Sequence, residues 1–492
     1  MVMEETERNL REKIEQEAKN TLKKTMWEGY ANDILTGLQK NPGVQPDRPI
    51  WELVQNARDV AYENKKAKIV FIRKQDHFVF QHNGQPFTRT TLQSLILQTS
   101  SKVREDIIQV GQYGTGFLTT HKFGLDFRLS GSLSLLEGLK FYNFSGRDFI
   151  IKRSAQDKVK LSDDLDATIA KTQQWGLDLN SLEDNPRRET IFEYQHNFNA
   201  ERENAKIAIK EAPKLVPYVL ALNKHIESIS FIDEVEGPKK ESFTFQNEEI
   251  YDNLENLRVY ETTILHSQSG QKDKIISLFL LKSLRCLEEK TGESKFTIIL
   301  PLKKISEGLK VFNFDNSIPR LYLYLPLLGS KDWGCNFLFH SPSFTCDQDS
   351  RDSIMLRFNP QAEVHHDQIN KDIIREASDA LKKYLTYKYL NLTDARFLCP
   401  INFVKGKSDN ETNQYYQELQ KEWVSFFECL NLVEYEDGKT IPVKSIRVLS
   451  NELYLACEQD VSLLDAIYNL LSKAVHLILP NKEVKKTGVN IP

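Results

Sequence analysis

W-E-L-V-Q-N-A-R-D, residues 51–59, spaces Glu52, Asn56 and Asp59 at i, i+4 and i+7, so the three share one helix face while Leu53, Val54, Ala57, Val60 and Ala61 fill the other side. A carboxylate one turn before an amide suits a hydrolytic site. Glu52 can orient and deprotonate water while the Asn56 oxygen ligates Mg2+. The same stripe also describes an ordinary solvated helix face, so its surroundings have to decide between the two.

Outward from this helix, read over residues 50–64, the pattern runs strand 68–73, strand 77–81, a turn, helix 88–98, a loop and a glycine cluster at 111–116. F-V-F-Q-H-N-G-Q-P-F, residues 78–87, is a strand entering a tight turn at Asn83-Gly84, which alone signals only a turn. G-Q-Y-G-T-G-F, residues 111–117, carries Gly111, Gly114 and Gly116 into an apparent helix at Phe117. Glycines there let backbone N–H groups approach phosphate, and a helix N-terminus adds a favourable dipole. The order G-x-x-G-x-G reverses a Rossmann fingerprint, and the segment lacks the lysine of a P-loop.

A chain of 492 residues exceeds one ordinary core and suggests about three domains. With 40% hydrophobic and 27% charged residues it has ample material for folded cores. Lys and Arg number 65 against 69 Asp and Glu, so the net charge of -4 supplies no general attraction to nucleic acid or anionic membrane; a local basic patch keeps nucleic acid open as a partner. Six cysteines without a C-x-x-C pair argue against a zinc module and against a disulfide scaffold. The charged N-terminus is unlike a secretory signal and no run is long enough to span a membrane, so a cytoplasmic location is expected.

The organisation reads as α+β and multidomain: a helical arm over 1–45, an α/β sandwich over 46–200, an α+β domain over 201–395 and a small mixed domain over 396–492. Residues 156–190 are polar and Asp-rich, ending in the strand E-T-I-F-E-Y from Glu189. The second domain reads as strands at 228–232, 241–246, 257–265, 296–302 and 320–325 with a helical piece around 273–286. Helices are expected from the spacing of Ile369 to Leu385, over Tyr415–Leu430 and over Leu463–Leu477, with a hairpin around Asp437-Gly438. Gly438-Lys439-Thr440 belongs to that turn rather than to a P-loop, and His365-His366 has no ligand-spaced partner for a metal.

Order and spacing of the three motifs together resemble the gyrase, heat-shock chaperone, histidine kinase and MutL (GHKL) superfamily, whose ATP site is built on the Bergerat α/β sandwich. GQYGTGF is close to the heat-shock chaperone form, and WELVQNARD with HNGQPF is similar to the sacsin-type branch, over residues 48–124. The resemblance implies ATP and Mg2+ as cofactors, with Glu52 as general base, Asn56 as magnesium ligand and Asp59 as a polar neighbour of the nucleotide. It places Gly111, Gln112, Tyr113, Gly114, Thr115, Gly116 and Phe117 around the phosphates and makes Thr88–Val110 a mobile lid, with Ser100, Ser101 and Lys102 as its phosphate-facing triplet. Thr190 resembles the strand threonine that helps bind adenine. Where the family has Asp two residues before Gly84, to accept the adenine amine, this chain has His82. Asn83, or a neutral ring nitrogen of His82, is left to accept that bond.

P-R-L-Y-L-Y-L to S-I-M-L, residues 319–356, resembles the transducer segment that follows such ATPases, with Arg351 similar to the arginine that reaches the γ-phosphate. Pairing of Arg351 with Asp349 or Asp352 on the surface is the plain alternative, and Lys303 and Lys304 are the other cations available. The resemblance implies a slow, motion-gated ATPase serving as a conformational switch, with an ATP-dependent homodimer and a protein effector or client as partners. A bacterial defence or signalling module is favoured over a chaperone-like remodelling machine. A DNA-manipulating ATPase of the MutL or microrchidia type, or a non-hydrolysing nucleotide scaffold, is the alternative. A histidine kinase is excluded because residues 1–45 contain no His.

Overall fold

The computed structural model describes residues 2–39, 45–99, 116–284, 294–306, 308–347, 352–403, 410–434, 440–442, 445, 462, 466 and 470. The chain is α+β and forms two compact units: residues 1–247 with 263–276, and residues 248–262 with 277–492.

In the first unit α1 (Val2–Gln39) and α2 (Arg48–Asp59) precede the hairpin β1 (Ala67–Arg73) and β2 (His77–His82), then α3 (Arg89–Leu97). β3 (Phe127–Leu135), β4 (Lys140–Phe144), β5 (Ile150–Ile151), α4 (Lys158–Gln173), β6 (Leu182–Glu183) and β7 (Thr190–Gln195) follow. α5 (Asn199–Glu211), α6 (Val216–Leu222) and β8 (Ile226–Asp233) come next, and β9 (Lys239–Leu254) and β10 (Leu257–Gln268) each contribute residues to both units. The strand order β8-β1-β2-β7-β3-β4-β6 is antiparallel from β1 to β6, and β8 lies parallel to β1. The sheet of this unit therefore runs past residue 200, because β8 supplies its strand next to β1.

Period-2 alternation gives this sheet two unlike faces. Phe71, Phe78, Phe80, Phe127, Phe192 and Tyr194 point to one of them and are buried. The 3-10 turn Gly116–Phe123 packs there, with Phe123 4.1 Å from Phe78 between ring centroids and Phe117 6.1 Å from Phe192. Val70, Ile72, Gln81, Ile191 and Glu193 on the other face stay half-buried. The helix expected from Phe117 is present as a 3-10 helix; Thr119 and Thr120 donate their hydroxyls to the carbonyls of Gly116 and Phe117, each at 2.7 Å, a side-chain bond that competes with α geometry.

The Asp-rich stretch after residue 156 holds α4, capped by Asp157 accepting from the Lys160 N–H and burying Leu161, Leu165 and Ile169. α1 lies along α4 through Lys23–Asp166 and Lys158–Glu28 pairs at 2.8 and 3.1 Å, with Ala31 and Ile34 buried and Leu10, Ile14, Leu22 and Met26 exposed.

The second unit contains most of β11 (Lys274–Ser283), then β12 (Thr297–Leu300), β13 (Leu302–Ile305), β14 (Gly308–Val311), β15 (Leu321–Leu323), β16 (Leu325–Pro326) and β17 (Leu338–His340). α7 (His366–Lys388), β18 (Leu392–Thr393), α8 (Asn410–Cys429) and the antiparallel pair β19 (Val433–Glu434) and β20 (Thr440–Ile441) follow. Residues 273–286, read as helical, include strand β11: Leu278 to Leu281 are all buried, and the strand pairs antiparallel with β12. α8, beyond residue 396, shares one core with β11, β12 and α7, where Trp423 stacks on Phe337 at 5.8 Å. The helix expected over 463–477 lies outside the described residues except for positions 466 and 470, which are helical.

Candidate functional site

α2 opens with Pro49 in its first turn, where a missing N–H costs nothing, and buries Ile50, Trp51, Leu53, Val54 and Ala57. The face carrying Glu52, Asn56 and Asp59 is only partly solvated: the Glu52 and Asp59 side chains are 16% and 4% exposed. Arg48, one turn earlier, reaches the Glu52 carboxylate at 3.5 Å, and Arg58 pairs with Asp59 at 3.3 Å. The Asn56 amide is half-buried and bonds to no described side chain or backbone group.

Two glycines bring the other motifs to this helix. A Cβ on Gly116 would overlap the Glu52 carboxylate, lying 2.7 Å from its Cδ and 3.0 Å from Oε1. The last glycine of GQYGTG therefore packs directly on the carboxylate at the head of the helix. At the other end of α2 the Gln85 N–H donates to the Val60 carbonyl at 2.7 Å, and a Cβ on Gly84 would fall 2.8 Å from that same oxygen. At Gly84 a side chain would run into backbone, whereas at Gly116 it would displace the movable end of Glu52. Gly37 of α1 closes the far side of the 3-10 turn, where an added Cβ would overlap Leu118.

His82 and Thr190 stand side by side, paired in register between β2 and β7. They are 5% and 4% exposed, so each keeps a sliver of solvent access. The Gly84 N–H donates to His82 Nδ1 at 3.1 Å. Burial pushes the His82 pKa down to about 4, leaving the ring neutral at pH 7. The Thr190 hydroxyl is bonded to no described residue. Asn83 has a different duty: its Oδ1 accepts from the Lys68 N–H at 2.7 Å and its Nδ2 donates to the Lys66 carbonyl at 3.4 Å, so its amide caps the start of β1.

Phe117 seats its ring against Phe127 and Phe192 at centroid distances of 6.0 and 6.1 Å. Ser100, Ser101, Lys102, Gly111, Gln112, Tyr113, Gly114, Thr115 and Arg351 lie outside the described residues. In the second unit Lys304 pairs with Glu261 at 2.6 Å.

Sequence reasoning missed two arginines that anchor α3. Arg89 donates to the carbonyls of Thr172 and Trp175 at 3.1 and 2.9 Å, and Arg153, fully buried, donates to the Ile96 carbonyl in the last turn of α3. A cation on terminal helix carbonyls is favourable, but no local pattern announces a partner 57 residues away. Residues 89–97, the first part of the expected lid, thus form a capped and anchored helix, with Thr88 and Thr91 making a reciprocal cap.

No protein-family model matches the chain, and no curated protein is significantly similar to it. Among the described residues no three His, Cys, Asp or Glu side chains gather as a metal cage, and no described helix is long and apolar enough to cross a membrane.

Proposed function

We propose that the first unit is a nucleotide-binding domain of the Bergerat type. More particularly, we read the chain as a Mg2+-dependent ATPase of the GHKL, sacsin-like kind, a slow conformational switch coupled to a protein effector or client in a defence, signalling or chaperone-like setting. The observation that supports this reading is the packing of Gly116 on the Glu52 carboxylate, which brings the last glycine of one motif against the candidate base of another far from it in sequence.

Glu52 is the general base in this reading, held among Arg48 and Gly116 and largely withdrawn from bulk water. Asn56, with no competing bond, offers its amide oxygen to Mg2+; an ion held mainly by phosphate oxygens and water needs only one or two protein ligands. When bound, magnesium would neutralise charge on the phosphates. Intact Glu52 and Asn56 favour turnover over a passive scaffold.

The test is Mg2+-dependent phosphate release from ATP by the purified chain beside Glu52→Gln. Parental turnover and a loss of about 10²- to 10⁴-fold in the variant, with nucleotide still bound, is expected. A parent that neither binds nor hydrolyses ATP would refute the reading.

A further inference from the structure

The amide N–H of Gly84 can only donate, so His82 Nδ1, 3.1 Å away, is the acceptor and the single proton of the neutral ring sits on Nε2. Burial holds the ring neutral, with its pKa near 4, so Nε2 presents a donor at physiological pH. That N–H meets no described partner, and His82, 5% exposed, keeps enough solvent access for a ligand atom to reach it. Its register neighbour Thr190 likewise holds an unengaged hydroxyl, which can donate or accept. Asn83 is occupied by the backbone of β1 and does not compete for the same ligand atom.

The polarity is the reverse of a carboxylate. In the superfamily this chain resembles, a carboxylate at the His82 position accepts from the 6-amino group of adenine, whereas a fixed Nε2–H would face that amine donor to donor. Adenine can satisfy it only through a ring nitrogen such as N1 or N7, after a shift of the base. A purine with a carbonyl at position 6 meets it directly.

Resting on the nucleotide-binding reading above, we infer that His82 is the specificity-determining residue for the base and reads it by donating a hydrogen bond, so that the site accepts 6-oxopurine nucleoside triphosphates at least as well as ATP.

The experiment is equilibrium binding of inosine triphosphate and of ATP to the full chain with Mg2+, for the parent and for His82→Asp. The dissociation constant of the parent for inosine triphosphate is expected to equal that for ATP or to lie up to about tenfold below it, the worth of one well-placed hydrogen bond. His82→Asp is expected to swing the ratio about tenfold toward ATP. A parent that binds ATP more tightly than inosine triphosphate overturns the inference while leaving nucleotide binding intact, and this arm does not depend on whether the variant folds. A folded His82→Asp protein with an unchanged ratio also overturns it. If the parent binds neither nucleotide, the nucleotide-binding reading itself fails and takes this inference with it.

Discussion

Replacing Gly116 by alanine probes the contact on which the hydrolytic reading rests. The new Cβ would sit 2.7 Å from Glu52 Cδ and 3.0 Å from Oε1, where ordinary contact begins at 3.4 Å, and would overlap Oε2 outright. The carboxylate has to retreat by roughly 1 Å, and a misplacement of that size costs about 10²-fold in rate. Because the atom displaced is the far end of a flexible side chain, stability should change by less than about 1 kcal/mol. Steady-state phosphate release at saturating ATP, beside nucleotide binding and a thermal melt, separates these effects. We expect kcat to fall about 100-fold with the melt nearly unchanged. A Gly116→Ala protein that keeps the parental kcat, while Glu52→Gln is inactive, would show that the carboxylate acts from a position Gly116 does not define.

Stability should decline in mild acid through the buried histidines. His82 and His121 are pushed down to about 4 and about 3 by burial, so below pH 6.5 the unfolded chain takes up protons that the folded chain refuses, and stability present at neutral pH is lost as pH falls toward those values. By pH 5 the loss is about 2 kcal/mol per histidine; calorimetry at pH 7.5 and 5.0 should show a lower Tm in acid and a shallower slope for His121→Gln, and a Tm independent of pH would contradict the assigned burial. In the second unit Trp423 is fully enclosed against Phe337 and Phe427, so Trp423→Ala should cost about 3–5 kcal/mol in denaturant unfolding. A cost under about 1 kcal/mol would mean that the ring is not packed as described.

Wherever local pattern suffices, the sequence was legible. The apolar stripe of α2, the β1–β2 hairpin, strand β7 and helices α7 and α8 follow from 3.6- and 2-residue periods, and the spacing alone puts Glu52 and Asn56 on one face of α2. Where a segment's period is ambiguous, the reading depended on partners it could not see. K-I-I-S-L-F-L-L-K-S at 274–283 is an apolar run that fits a helix or a doubly buried strand, and pairing with β12 makes it a strand. α4 escaped notice because its acidic surface outweighs the four-residue rhythm of Leu161, Leu165 and Ile169.

The chain by itself therefore determined which residue types are available for the chemistry and the helix face or strand that carries them, because periodicity and turn chemistry act over a few residues. Only the tertiary structure decided that Gly116 rests on Glu52, that Asn83 is spent on the start of β1, and that His82 takes the Gly84 N–H and is left as a donor. Those are choices between equally polar groups, made by contacts across strands and between a helix and a turn, and hydrogen-bond polarity at a buried position is set by whichever neighbour arrives first in space, not in sequence.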